Sequence, residues 1–241
     1  MSTGYSGFKH PGYEEDNRWT AVDNYTSKHL NTASKLNEAL NNALKNSDAH
    51  GLPPISVSEH QGKFLMLQAR MSGAKHILEV GLLGGYSTIW LANSNPDVKV
   101  TTVEVSEDNA AVAKENLKAA GVADRVEVVV GSGVEVLPRL VEEVKAGKRP
   151  PFGFFFIDAD KQNNWTYVDN ACEMALPKAC IYVDNVVRKG NLAEESATDE
   201  RILGNRKMVE NVGKDSRLDA TVIQTVSDKN YDGFLFAVVK G

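Results

Sequence analysis

The sequence predicts an α/β fold, a mostly parallel sheet with helices on both faces. Three observations carry that expectation. From about residue 76 onward, short apolar runs alternate with amphipathic stretches, the β-α-β-α order of a parallel sheet. The runs are apolar at successive positions, so their strands are buried on both faces. The last two runs break the alternation and follow one another as an antiparallel hairpin at the sheet edge, with Asn230-Tyr231-Asp232-Gly233 read as the turn between them.

The 241 residues suit one large domain or two small ones, and 42% apolar content is too high for a disordered chain. The formal net charge of −5 argues against nucleic acid or an anionic membrane surface as the main partner. No run approaches the ~18 apolar residues of a membrane span, and the polar first residues hold no secretory apolar segment. Cys172 and Cys180, both in apolar stretches, do not make a disulfide framework and read as buried small hydrophobes. A reduced, cytoplasmic protein is expected. Residues 1–20 read as a flexible arm and 21–241 as a single domain, with N-terminal helices over 21–72 and the α/β core over 73–241.

The elements follow in order. Val22, Tyr25, His29, Ala33, Leu36, Leu40 and Ala43 recur at three- and four-residue steps, a helical stripe. A break at Gly51-Leu52-Pro53-Pro54 precedes Ser58-Glu59-His60-Gln61, which has the form of a capping box. The helix it opens carries Phe64, Leu65, Ala69 and Met71, and Gly73 is placed to end it. Strands are expected at His76–Val80, Val98–Val103, Val126–Val130, Phe154–Ile157 and Ile181–Val183. Helices are expected near Thr88–Ser94, Glu107–Ala120, Val134–Lys145, Asn164–Ala175 and Arg201–Val212, with hairpin strands at Thr221–Val226 and Phe234–Val239.

In open α/β sheets ligands bind beyond the carboxyl ends of the strands, near the switch in strand order. Four of the five core strands end in an acid: Glu79, Glu104, Asp158 and Asp184. A solvated turn explains one such acid, but four at equivalent positions point to a site. The loop Gly81-Leu82-Leu83-Gly84-Gly85-Tyr86-Ser87 follows a strand and precedes a helix, and its glycines allow close backbone approach to a ligand. Its spacing is neither G-x-G-x-x-G nor a phosphate loop, which disfavours a dinucleotide or a nucleoside triphosphate. A ligand with a ribose and a cationic amine, but no pyrophosphate, suits Glu79 and Glu104 together. S-adenosylmethionine is such a ligand.

Asp158, Asp184 and Asn185 form a second constellation, with three oxygen donors suited to a hard divalent cation, most plausibly Mg²⁺. No H-x-x-x-H pattern is present, which argues against zinc. Lys161, three residues after Asp158, faces the same site on a first helical turn. A lysine partly desolvated there can serve as a general base.

Together these residues resemble the cation-dependent O-methyltransferases, the group of catechol O-methyltransferase and caffeoyl-CoA O-methyltransferase within the class I S-adenosylmethionine-dependent enzymes. The resemblance runs from about Ile55 to the C-terminus. It rests on Glu79-Val80-Gly81 with Gly85-Tyr86-Ser87, Glu104, Gly131-Ser132-Gly133, Asp158-Ala159-Asp160-Lys161, Asp184-Asn185 and Tyr231-Asp232-Gly233-Phe234. It is closer to the microbial small-molecule branch, with its Gly-Gly-Tyr-Ser-Thr and Asp-Asn-Val-Val. It implies a Rossmann-like sheet of seven strands whose last is antiparallel, and commonly a homodimer. Glu79, Gly81 and Ser87 would hold the amino-acid end of S-adenosyl-L-methionine, with the backbone near Val57 and with Asp158 also touching the cofactor. Glu104 would take the ribose, and Ser132 and Gly133 would border the adenine. Asp158, Asp184 and Asn185 would bind the metal, and Lys161, with Asp158, would carry the catalysis. The acceptor implied is a small phenolic molecule, catechol-like.

The chain departs from the plant caffeoyl-CoA enzymes, which have Thr at the positions of Gly84 and Val57 and Trp at that of Arg188, so the acceptor need not be caffeoyl-CoA. Two alternatives stay open at this point. One is a nicotinamide-dependent oxidoreductase on a similar sheet, which the glycine spacing disfavours. The other is a non-catalytic methyltransferase-like binding protein, against which the intact Asp158, Lys161, Asp184 and Asn185 speak.

Overall fold

The structure is a computed structural model and describes residues 16–31 and 34–241. Its centre is a seven-stranded sheet: β1 (His76–Val80), β2 (Lys99–Glu104), β3 (Val126–Val130), β4 (Phe152–Ile157), β5 (Ala175–Val183), β6 (Leu218–Val226) and β7 (Tyr231–Val239). The strand order is β3-β2-β1-β4-β5-β7-β6. The pairs among β1 to β5 are parallel, while β7 runs antiparallel to both β5 and β6. The eight helices of the described residues are α1 (Asn17–Leu30), α2 (Lys35–Ala49), α3 (Glu59–Met71), α4 (Tyr86–Ala92), α5 (Glu107–Ala119), α6 (Gly133–Lys145), α7 (Asn164–Glu173) and α8 (Glu200–Lys214). None of them is long and apolar enough to cross a membrane.

β4 shows why the sheet is covered on both sides. Successive side chains of a strand point to opposite faces. Phe155 and Ile157 pack with α6, α7 and α8 in one core cluster, while Phe154 and Phe156 join α2 to α5 in the other. Phe154, Phe155 and Phe156 are fully buried. Each such ring contributes roughly 1.5–3 kcal/mol relative to exposure, which anchors β4 at the middle of the sheet.

The N-terminal part differs from the expectation. Residues 1–15 of the expected arm, and Ala33 of the stripe, lie outside the described residues. Asn17–Thr20, also assigned to the arm, are instead the first turn of α1, because Asp16 caps it by accepting the Arg18 N–H at 2.8 Å. The single stripe from Val22 to Ala43 is two helices. α1 ends at Asn31, and Ser34 starts α2 by accepting the Asn37 N–H. Only the α2 part of the stripe is buried, through Leu40 and Ala43, while Val22 and Tyr25 of α1 stay exposed.

The hairpin also needs correction. Its turn is Ser227 to Asn230, while Asp232 and Gly233 pair within β7 opposite Thr225 and Gln224. Gly233 is there for close approach: a Cβ would stand 2.3 Å from the Ile223 carbonyl oxygen and 2.6 Å from a Val187 methyl. β5 starts at Ala175, six residues before the expected Ile181, and the other elements lie where the sequence placed them with shifts of a few residues at their ends.

Candidate active site

The order of strands reverses between β1 and β4, and the candidate residues gather at the carboxyl ends around that switch point. Gly81 makes the first approach possible. Its φ is +102°, and a Cβ there would lie 2.2 Å from the Asp158 carbonyl oxygen, so only glycine lets the exits of β1 and β4 touch. The loop then turns through Gly85, also in the left-handed region, into α4. Asn116 of α5, 3% exposed, fastens this loop from behind by donating to the Gly84 carbonyl at 2.9 Å and the Ala43 carbonyl at 3.3 Å.

Glu79 and Glu104 support the loop in different ways. Glu79 is 0% exposed. Ser87 donates to its Oε1 at 2.6 Å, and Thr88 and Thr102 donate to its Oε2 at 2.5 and 2.6 Å. Burial pushes its carboxyl up to about 7, against the pull of those three hydroxyls. Three of the four lone pairs of Glu79 are thus taken, and one on Oε1 remains. Glu104 is held by loop amides instead: Oε2 accepts the Leu83 N–H at 2.8 Å, and Oε1 accepts the Ser106 N–H at 2.9 Å and the Asn109 Nδ2 at 3.5 Å, which leaves a lone pair on Oε2. Ser132 precedes α6 without spending its hydroxyl on a cap, and Gly133 is packed on the Tyr167 ring. Val57 is buried just before α3.

The second constellation assembles at the adjacent ends of β4 and β5. Lys161, 6% exposed, donates from Nζ to Asp158 Oδ1 at 2.6 Å. Asp184, 5% exposed, accepts the Asn185 N–H at 2.9 Å and the Gln61 Nε2 at 2.7 Å, both on Oδ1. Among the described residues no hydrogen bond falls on Oδ2 of either aspartate. Burial first, and then the charge of Asp158, push the Asp184 carboxyl up to about 7. Asn185 sits at φ +53°, a left-handed conformation that asparagine tolerates better than most residues.

The sealed Asp184 and the partly exposed Asp158 repel one another, and a cation between them relieves that repulsion. The two free Oδ2 atoms and the Asn185 amide are hard oxygen donors, so the residues present fit a divalent cation. The set is two carboxylates and an amide. Among the described residues no three His, Cys, Asp or Glu side chains come together to hold a metal.

Several contributors escaped sequence reasoning. Gln61 has the capping-box position, yet its side chain does not return to Ser58; it reaches Asp184, and Tyr182 OH at 3.3 Å. Only its place opposite β5 reveals this. Lys229, in the hairpin turn, donates to the Ser56 carbonyl beside Val57, and burial lowers its pKa while Asp228, Asp184 and Asp158 raise it. Asp232 was read in a turn, but it accepts the Arg188 N–H at 2.8 Å and the Gly233 N–H at 2.9 Å. Over these lies α1, which buries no residue and is tied by polar contacts. Ser27 donates to Glu59 at 2.8 Å, Thr26 Oγ1 lies 2.8 Å from His60 Nε2, and the Asp228 N–H donates to Asp23 at 2.7 Å.

A glycine loop at the switch point, an acid at the end of β2, and an Asp-Lys pair beside an Asp-Asn pair match one family profile. That profile, described as O-methyltransferase, spans residues 30–232. The chain belongs to the O-methyltransferase family. The O-methyltransferase imqG of Aspergillus flavus is 50% identical over 231 residues, covering 95% of this chain and 94% of that protein. The catechol O-methyltransferase of Mycobacterium tuberculosis is 48% identical over 203 residues, covering 84% and 89%. Among solved structures, the O-methyltransferase TomG of Streptomyces achromogenes in complex with SAM superposes with a TM-score of 0.87 at 38% identity, covering 95% of this chain and 100% of that one. This chain is thus an O-methyltransferase, and the nicotinamide alternative falls away.

Proposed function

We propose that this O-methyltransferase moves a methyl group from S-adenosyl-L-methionine to a hydroxyl of a catechol-like phenol, with a divalent cation, Mg²⁺ by its donor set, at Asp158, Asp184 and Asn185. The observation that carries the reading is the Asp158–Lys161 contact beside the sealed Asp184, at the switch point next to the glycine loop. A relative bound to SAM and a relative named for catechol support donor and acceptor. When bound, the donor supplies an electrophilic methyl on a sulfonium, and the cation lowers the pKa of a coordinated hydroxyl.

The chain's own residues do the rest. Glu104 accepts a ribose hydroxyl on the lone pair left on Oε2. Val57, Gly81 and Ser87 border the amino-acid end, with Asp158 beside it, and Glu79 holds Ser87 in place from behind. Ser132 and Gly133 border the adenine. Gln61 orients Asp184. Lys161 Nζ is the group placed to take the phenolic proton, and the contact with Asp158 fixes where it sits. The oxygen–carbon bond forms as the carbon–sulfur bond breaks, so alignment of those three atoms is a proximity effect.

The proposal includes the single-domain organisation, a homodimer and a cytoplasmic location. Exposed apolar side chains on α3, such as Met71 at 82% exposure, suit an assembly, and the free Cys172 and Cys180 suit a reducing compartment. A mass-spectrometric screen of phenols with S-adenosyl-L-methionine, with and without Mg²⁺, tests the reading. Methylation of vicinal diols but not of their singly hydroxylated analogues is expected. Transfer to the single phenols at equal rate would contradict a catechol-like acceptor.

A further inference from the structure

One turn of α8 meets the backbones of both catalytic turns. At Gly204 a Cβ would stand 2.4 Å from the Lys161 carbonyl oxygen and 2.4 Å from Gln162 Cα, so the helix lies directly on the short 3-10 turn Lys161–Asn163. The next residue, Asn205, is 0% exposed. Its Nδ2 donates to the Asn185 carbonyl at 2.9 Å and to the Val186 carbonyl at 3.3 Å. Its Oδ1 accepts from Asn164 Nδ2 at 2.7 Å, and Asn164, 0% exposed, follows the Lys161 turn directly. Asn164 Oδ1 has no partner among the described residues, so the bridge is a single file.

We infer that Asn205 is a positioning residue of the active site, which holds Asn185 in its left-handed conformation and sets it in register with the turn that carries Lys161. The inference rests on the methyl-transfer reading for what the two turns carry. A buried amide is suited to this place because it offers a donor to one turn and an acceptor to the other. An apolar residue would fill the space and leave two buried carbonyls without a donor. Asp184 and Val186 are already held on their own sides, by the Ile157 and Gly233 carbonyls. Asn205 supplies the donor for the carbonyl of Asn185 that lies between them.

Asn205→Asp tests this with almost no change in shape. It keeps the acceptor for Asn164 and sets a carboxylate against the two carbonyls. In metal-free protein, hydrogen exchange over residues 184–187 and 161–164 should quicken relative to wild type. Mn²⁺ affinity, read by titration, should fall at least about 10-fold, while S-adenosylhomocysteine affinity stays unchanged. Gly204→Ala, one residue earlier, should quicken exchange mainly over 161–164 and leave Mn²⁺ affinity near wild type. If Asn205→Asp does not fold, Asn205→Ala, which leaves room for a water, carries the same expectation. A variant with a lower unfolding midpoint but wild-type exchange over 184–187 would make Asn205 an ordinary core amide and overturn the inference. Wild-type protein that fails to bind Mn²⁺ would count against the metal reading, and the exchange comparison would still decide the positioning.

Discussion

Glu79 and Asp184 are both strand-end carboxylates, both sealed from solvent, and both pushed up to about 7 by burial. Their surroundings separate them. Glu79 has three hydroxyl donors spread over both oxygens, so a single lone pair, on Oε1, is left unspent. Asp184 has two donors on one oxygen and a second carboxylate nearby, so its cage is open toward a cation. Burial alone therefore does not mark a binding residue. What marks it is which lone pairs the protein has left unspent.

The largest effects should come from the open side. Lys161→Ala should lower kcat by roughly 10²–10⁴, and Asp158→Ala should abolish turnover. Only the second should erase the rise in rate on adding Mg²⁺, measured by initial rates across a metal titration. If both lose it, Lys161 belongs to the metal site rather than to proton transfer. Gln61→Leu sits one step out. It removes the donor to Asp184 while keeping most of the volume, and a loss of roughly 10–100-fold in metal affinity is expected. An unchanged affinity would reduce Gln61 to packing.

The closed side should show itself in stability rather than in chemistry. The folded Glu79 carboxyl, at about 7, lies above its ordinary value of 4.5. Its stabilising contribution is therefore fully present below about 4.5 and is lost as pH rises through about 7. Glu79→Gln cannot ionise, and the three hydroxyls can rotate to suit the amide. In urea unfolding of the cofactor-free protein, the variant should gain on wild type as pH rises from about 5 to about 8. Parallel pH profiles for the two proteins would show that Glu79 is held ionised by its hydroxyls.

The same contrast explains what could be read from the sequence. Asp158, Lys161, Asp184 and Asn185 were legible because strand ends converge wherever a parallel sheet forms, so their meeting follows from topology alone. Gln61, Asn164 and Asn205 were not, because they come from helices whose rotation against the sheet is set by packing. Gln61 carried a local signal that pointed elsewhere, toward a capping box. Asp232-Gly233 misled in the same way: a pair common in turns occurs here inside β7, where Gly233 allows β6 and Val187 to approach. The division of the N-terminal stripe into α1 and α2 was hidden because both helices keep the same period.

The measurement that bears most directly on the central claim is the rate of methyl transfer to a catechol acceptor in excess EDTA, followed by addition of Mg²⁺. The open cage at Asp158 and Asp184 predicts loss of turnover in EDTA and recovery when the metal returns. Full activity in EDTA would contradict it.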